Sequence, residues 1–165
     1  MKKGLPSVTV SAYIVVLLTA TPSAQRKSDM PVTVRPSMLA QAIEELAGSE
    51  VNVRHARVVG VFNPRVLVVD TATLLRPMLG RRDRVLVFVG SGALKVPSRT
   101  IVGSTVRISG VARTLIGVQV TAEVPWPTEL SSEMLERLEI RAAVMATSVR
   151  TAEGIELTSP ESFGN

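Results

Sequence analysis

VNVRHARVVGVFNPRVLVVD, residues 51–70, is the stretch that decides how this chain folds. It reads as a long β-strand over about residues 50–62, a turn at Asn63-Pro64, and a returning strand over residues 65–70. Its valines are β-branched and suit a pleated, half-buried surface. Along the first strand neither parity is purely apolar. Val51, Val53, His55, Arg57, Val59 and Val61 occupy one; Asn52, Arg54, Ala56, Val58, Gly60 and Phe62 occupy the other. The apolar face changes sides near Ala56 to Val58, which predicts a β-bulge or a strong bend, because one extra residue turns every later side chain over. Gly60 fits a corner where backbones pack closely. The same stretch holds the only histidine, His55, and three arginines, Arg54, Arg57 and Arg65.

Working outward, RVLVFVG at residues 84–90 is a third strand that echoes the RVLVVD of the hairpin. Residues 104–114 alternate most cleanly: Val106, Ile108 and Ala112 point one way, Arg107, Ser109 and Arg113 the other. Residues 118–124 read as a further strand, ended by Pro125-Trp126-Pro127. Leu130, Met134, Leu135 and Leu138 have helical spacing, with Glu133 near the positive N-terminal end. A last strand at residues 142–150 leads to a turn at Glu153-Gly154 and a short return over residues 155–157. Ahead of the hairpin, Leu39, Ala42, Ile43 and Leu46 share a helical face, Ser37 can cap it and Gly48 can stop it. Five or six short strands, one or two short helices and no βαβ rhythm make the chain mainly β, a small barrel with Gly60 and Gly110 at its tight corners.

The chain has 165 residues, 45% hydrophobic and 20% charged, enough for one domain with a buried core. Its first residues carry Lys2 and Lys3, an apolar run over residues 8–20, Pro22 and the small pair Ser23-Ala24. That order reads as a secretory signal peptide over residues 1–24, with a run too short to span a bilayer comfortably. A linker over residues 25–36, a barrel domain with its leading helix over 37–158 and a disordered tail over 159–165 complete the expected organisation. Periplasmic or secreted localisation follows. There is no cysteine, so neither a disulfide nor a lipid-modified cysteine exists. The formal net charge is +5, or about +3 without Lys2 and Lys3.

GRRDRVLVFV at residues 80–89 followed by VGSTVRISGVARTL at residues 102–115, behind a signal peptide and a long bent first strand, resembles small bacterial periplasmic proteins with an oligonucleotide/oligosaccharide-binding (OB) fold. The resemblance spans roughly residues 46–156. It implies an OB-like barrel of five or six strands that binds small ligands or cations. One departure stands out: OB barrels usually carry a helix between the third and fourth strands, whereas the clear helix here lies near residues 130–138. That leaves an SH3-like barrel open.

No residue pattern points to catalysis. The lone His55 has no G-x-S-x-G elbow to serve, and Gly90-Ser91-Gly92 lacks the spacing. One histidine, no cysteine and scattered carboxylates predict no metal site and no cofactor. Residues 90–95 match neither a Walker A loop nor a dinucleotide fingerprint. The arginines remain. Arg54, Arg57 and Arg65 on the hairpin, Arg81, Arg82 and Arg84 before the third strand, and Arg107 and Arg113 on the fourth predict a basic, ligand-binding face. OB folds bind single strands by joining such a face to stacking aromatics. After the signal peptide only Phe62, Phe88, Trp126 and Phe163 are aromatic, and the first two read as core. Single-stranded nucleic acid is therefore the alternative, and the leading expectation is a non-catalytic exported module for an anionic small molecule, lipid headgroup, polysaccharide or acidic protein. Membrane association through the N-terminus is expected only if that segment stays uncleaved.

Overall fold

The computed structural model of the protein describes residues 30–72, 84–90, 92–116, 118, 126–128 and 130–159. In chain order the elements are β1 (Val32–Val34), α1 (Pro36–Gln41), α2 (Ile43–Leu46), β2 (Glu50–Asn63), β3 (Val66–Thr71), β4 (Val85–Val89), β5 (Ala93–Leu94), α3 (Ser98–Ile101), β6 (Thr105–Thr114), α4 (Ser132–Arg137), β7 (Ala142–Thr151) and β8 (Thr158–Ser159). The signal-peptide reading and Phe163 fall outside the described residues, as do Arg81 and Arg82.

β2 is the hub. Its first half pairs antiparallel with β6, its second half antiparallel with β3, and β1 lies parallel to residues 51–53. β4 continues antiparallel to β3, and β7 joins β4 in parallel and β6 antiparallel. The order β2-β3-β4-β7-β6 thus closes on β2. Numbering only the barrel strands, this is 1-2-3-5-4-1 with the third and fifth parallel. That is the OB arrangement, and it resolves the choice between OB and SH3-like barrels. The short α3 sits between the third and fourth barrel strands, where OB barrels carry their helix, while α4 lies between the fourth and fifth.

The mixed parity of β2 has the expected kind of cause. Val53 pairs with Ile108 and Ala56 with Val106, so Arg54 and His55 together face one residue of β6, Arg107. This bulge returns Ala56 and Val58 to the interior beside Val51 and Val53, and all four are buried. It falls slightly earlier than the sequence pattern placed it, and His55 carries the left-handed backbone (φ 55°) that absorbs the extra residue. β7 has a matching irregularity. Ser109 pairs with Ser148 but Gly110 with Ala146, so Thr147 is the extra residue. Gly110 is indispensable there, because a Cβ would lie 2.2 Å from the Met145 carbonyl oxygen. Gly60, expected at a close approach, has open space instead.

Two apolar layers sandwich the barrel wall. The interior holds Val51, Val53, Ala56, Val58, Leu67, Val69, Val85, Val87, Val106, Ile108, Val144 and Val149. Leu39 and Ile43 of α1 and α2 close one mouth; Leu94, Ile101 and Leu157 close the other. A second core lies outside β3, β4 and β7, where Val66, Val68, Leu86, Phe88 and Ala143 meet Leu115, Val118, Leu130, Leu135 and Ile140. The described residues of the β6–β7 connection therefore form a strap over the outer face of β3 and β4, which is why both strands are buried along their whole length.

Local differences from the sequence reading have simple origins. The leading helix breaks at Ala42 into α1 and α2. It begins two residues earlier than a Ser37 cap would place it, at Pro36, whose fixed φ suits a first helical position. Ser37 does not cap it; its amide donates instead to Thr71 Oγ1 at 3.0 Å. The span read as a linker contains β1, an extended segment fixed by pairing with β2 rather than by its own composition. Leu115, Ile116 and Val118 are helical, and the Val118 side chain packs in the outer core; the rest of the strand expected over residues 118–124 lies outside the described residues.

Candidate functional site

The β2 bulge does more than restore parity. Two residues opposing one point the same way, so Arg54, His55 and Arg107 share the outer surface. Arg54, His55 and Arg107 are all exposed. One strand further, Arg107 pairs directly with Arg150 of β7. Arg57, also facing outward, lies opposite Thr105 on one side and Asp70 on the other. Neighbouring strands run about 4.8 Å apart. The outer wall of β2, β6 and β7 thus carries Arg54 and His55, Arg107 and Arg150 in one cross-strand row. Like charges directly opposite on paired strands are destabilising by roughly 0.2–1 kcal/mol each.

Acids do little to offset this row. Among the described residues, Arg54, Arg57 and Arg107 form no ion pair. Asp70 beside Arg57 is buried and already has a partner of its own. Only Arg150 is matched, its Nε donating to Glu156 Oε2 at 2.9 Å. The adjoining row is neutral and polar: Asn52, Ser109 and Ser148, with Ser109 Oγ donating to Asn52 Oδ1 at 3.2 Å.

Glu156 is the clamp that folds the chain end onto β7. Ser148 Oγ donates to it at 2.5 Å, the Val149 amide at 3.1 Å and the Thr158 amide at 3.3 Å, and the Thr158 hydroxyl also donates. Burial alone would raise its pKa, but the hydrogen bonds from Ser148, Thr158, Arg150 and the Thr158 backbone outweigh it and hold the carboxyl at about 2, below its ordinary 4.5. A depressed folded-state pKa stabilises fully above about pH 4.5 and is lost as the pH falls toward 2. The side chain is 34% exposed, so solvent screening reduces the contribution to about 1–2 kcal/mol. Urea unfolding followed from pH 6 to pH 2.5 is expected to show this loss, and Glu156→Gln to flatten that part of the profile. An equally steep decline in Glu156→Gln would refute the clamp.

The remaining predicted arginines do not join the row. Arg65 occupies the β2–β3 turn, where its amide donates to Asn63 Oδ1 at 2.8 Å, and it has further contacts. Arg84 precedes β4 at the other end of the β3–β4 ladder. Arg113 lies on the outer face of β6 but six residues from Arg107, half-buried and engaged. The structure thus gathers Arg54, Arg57 and Arg107 and separates Arg65, Arg84 and Arg113. Arg150 was missed, because its place beside Arg107 depends on the β6–β7 register.

The aromatic residues serve a different surface. OB folds commonly engage polymers across the face of their second and third strands, which here are β3 and β4. The strap covers that face. Phe88 and Trp126 stack at 5.7 Å between ring centroids, tilted by 39°, and Trp126 Nε1 donates to the Leu130 carbonyl at 2.8 Å. Phe62 packs on the same cluster. Among the described residues no three His, Cys, Asp or Glu side chains gather as metal ligands, and no helix is long and apolar enough to cross a membrane.

No family model and no curated protein matches the chain. Among solved structures, a chain described as an aspartyl-tRNA synthetase from Leishmania major Friedlin aligns over 85% of this chain at 17% identity, with a TM-score of 0.36. The alignment spans 23% of the synthetase's length. At that level the similarity carries no functional argument.

Proposed function

We propose that the protein is an exported, non-catalytic binding module that engages an anionic partner through the outer wall of β2, β6 and β7. The observation carrying this reading is the row of Arg54, Arg107 and Arg150 on adjacent strands, with His55 beside Arg54, its like-charged arginines offset only by Glu156 among the described residues. Such a row costs folding stability and gives affinity for negative charge in return. Export rests on the N-terminal sequence pattern alone. Single-stranded nucleic acid is the competing polyanion. Against it, Phe62, Phe88 and Trp126 are committed to the outer core, so the cationic wall has no stacking platform from them.

Retention on immobilised heparin tests the reading. It is expected to weaken steeply as salt rises, and Arg54→Ala with Arg107→Ala to reduce affinity roughly tenfold while the melting temperature holds or rises by a few degrees as the like-charge repulsion is relieved. Salt-insensitive retention, or no change in the double variant, would remove the proposal's basis. Tighter binding to oligothymidine than to heparin at equal salt would favour the nucleic-acid alternative.

A further inference from the structure

The cationic wall ends at a rim that presents two exposed aliphatic side chains. The α3–β6 turn is seated on β2 by hydrogen bonds from the Gly103 amide to the Val58 carbonyl at 2.8 Å and from the Val58 amide to the Ser104 carbonyl at 3.0 Å. Val102 projects from that turn with 47% of its surface exposed. Beside it, the pairing of Val106 with Thr151 brings the end of β7 to the start of β6. There the chain reverses through Gly154 (φ 93°), and the Thr151 amide donates to the Ile155 carbonyl at 2.9 Å. Ile155 is 64% exposed. Both apolar tips therefore occupy the same end of the barrel, on turns rather than on the wall.

Cations surround this end. Arg57 lies opposite Thr105, and Arg107 and Arg150 form the next outward pair. Arg99 of α3 is exposed, as is Lys95, whose amide donates to the Leu157 carbonyl and so ties it to the same region. Of the acids here, Glu156 is engaged by Arg150 and four further donor groups, leaving Glu153 as the main opposing charge among the described residues. Two of the other exposed apolar side chains have an acidic setting instead: Met134 shares α4 with Glu133 and Glu136, and Met38 precedes α2 with Glu44 and Glu45.

We infer that this end of the barrel docks on an anionic lipid surface, Val102 and Ile155 entering the boundary between headgroups and acyl chains while the arginines and Lys95 contact the headgroups. The inference rests on the anionic-partner reading and narrows it to lipid. A soluble polysaccharide or a phosphodiester backbone would satisfy the arginines but offer nothing to two projecting aliphatic side chains. A lipid surface satisfies both, because peripheral binding adds buried apolar area to attraction between basic residues and anionic headgroups.

Sedimentation of the full chain with vesicles tests it, comparing phosphatidylcholine alone with a 3:1 mixture of phosphatidylcholine and phosphatidylglycerol. Because the apolar N-terminal segment is common to every variant, the readout is the preference for anionic over neutral vesicles. The unaltered chain is expected to prefer anionic vesicles at least tenfold. Val102→Ser with Ile155→Ser should reduce anionic-vesicle binding about tenfold and leave heparin retention unchanged, and each removed arginine should cost about fivefold. Heparin retention that responds to Arg54→Ala and Arg107→Ala, combined with no vesicle preference or no effect of the serine substitutions, would overturn the lipid inference and spare the anionic reading. Indifference of both heparin and vesicles to the arginine substitutions would overturn both.

Discussion

Gly110→Ala is expected to destabilise the protein by about 3 kcal/mol, enough to lower the melting temperature by on the order of 10 °C. The added Cβ would lie 2.2 Å from the Met145 carbonyl oxygen and 2.8 Å from the Ala146 Cα. Both are main-chain atoms of β7, so no side chain can swing aside. Relief requires moving the β6–β7 ladder where Thr147 already interrupts it. Gly60→Ala is the control. It has nothing within 4 Å of the added Cβ, so urea unfolding should place it within about 0.5 kcal/mol of the parent. Equal stability of the two variants would show that the barrel corner at Gly110 is looser than described.

Phe88→Ala is expected to cost about 3–5 kcal/mol, the usual range for removing a fully buried phenylalanine. Phe88 sits on β4 beneath the strap, with no exposed surface, against Trp126. Its loss leaves a void between the barrel wall and the β6–β7 connection. Because the chain has a single tryptophan, fluorescence reports this locally. Trp126 emission should move to the red in Phe88→Ala, while Ile101→Ala, at the far mouth, should destabilise the barrel with little change in native-state emission. Unchanged emission in Phe88→Ala would mean that the strap is held by other contacts.

What the sequence could reveal depended on whether burial was one-sided. β6 was plain because Val106, Ile108 and Ala112 face the interior while Arg107 and Ser109 face solvent. β3 and β4 were recognisable as buried strands, but continuous valine and leucine runs do not say what covers their second face. That cover is the strap, whose helical spacing at Leu130 and Leu135 was visible without its destination. In β2 the mixed parity announced a bulge, yet only the pairing with β6 shows that Arg54 and His55 share one partner. Strand order was equally hidden, because the parallel β4–β7 pairing joins residues far apart in the chain. The arginine face was partly legible for the same reason. Composition identified the cations, and register decided that Arg150 belongs with Arg107 while Arg113 does not.

The hub position of β2 also bears on how the protein reaches its native state. A tight turn at Asn63 to Arg65 lets β3 find β2 early, whereas β6 emerges only after β4 and α3 have been made. Until then the β2 edge that will receive β6 has unpaired backbone groups, a template for another chain. A β6 strand from a second molecule could fill the gap and yield a domain-swapped dimer. Arg54 and Arg57 stand on that waiting edge. Charged residues on an unpaired strand repel a second copy of themselves, which disfavours such a swap.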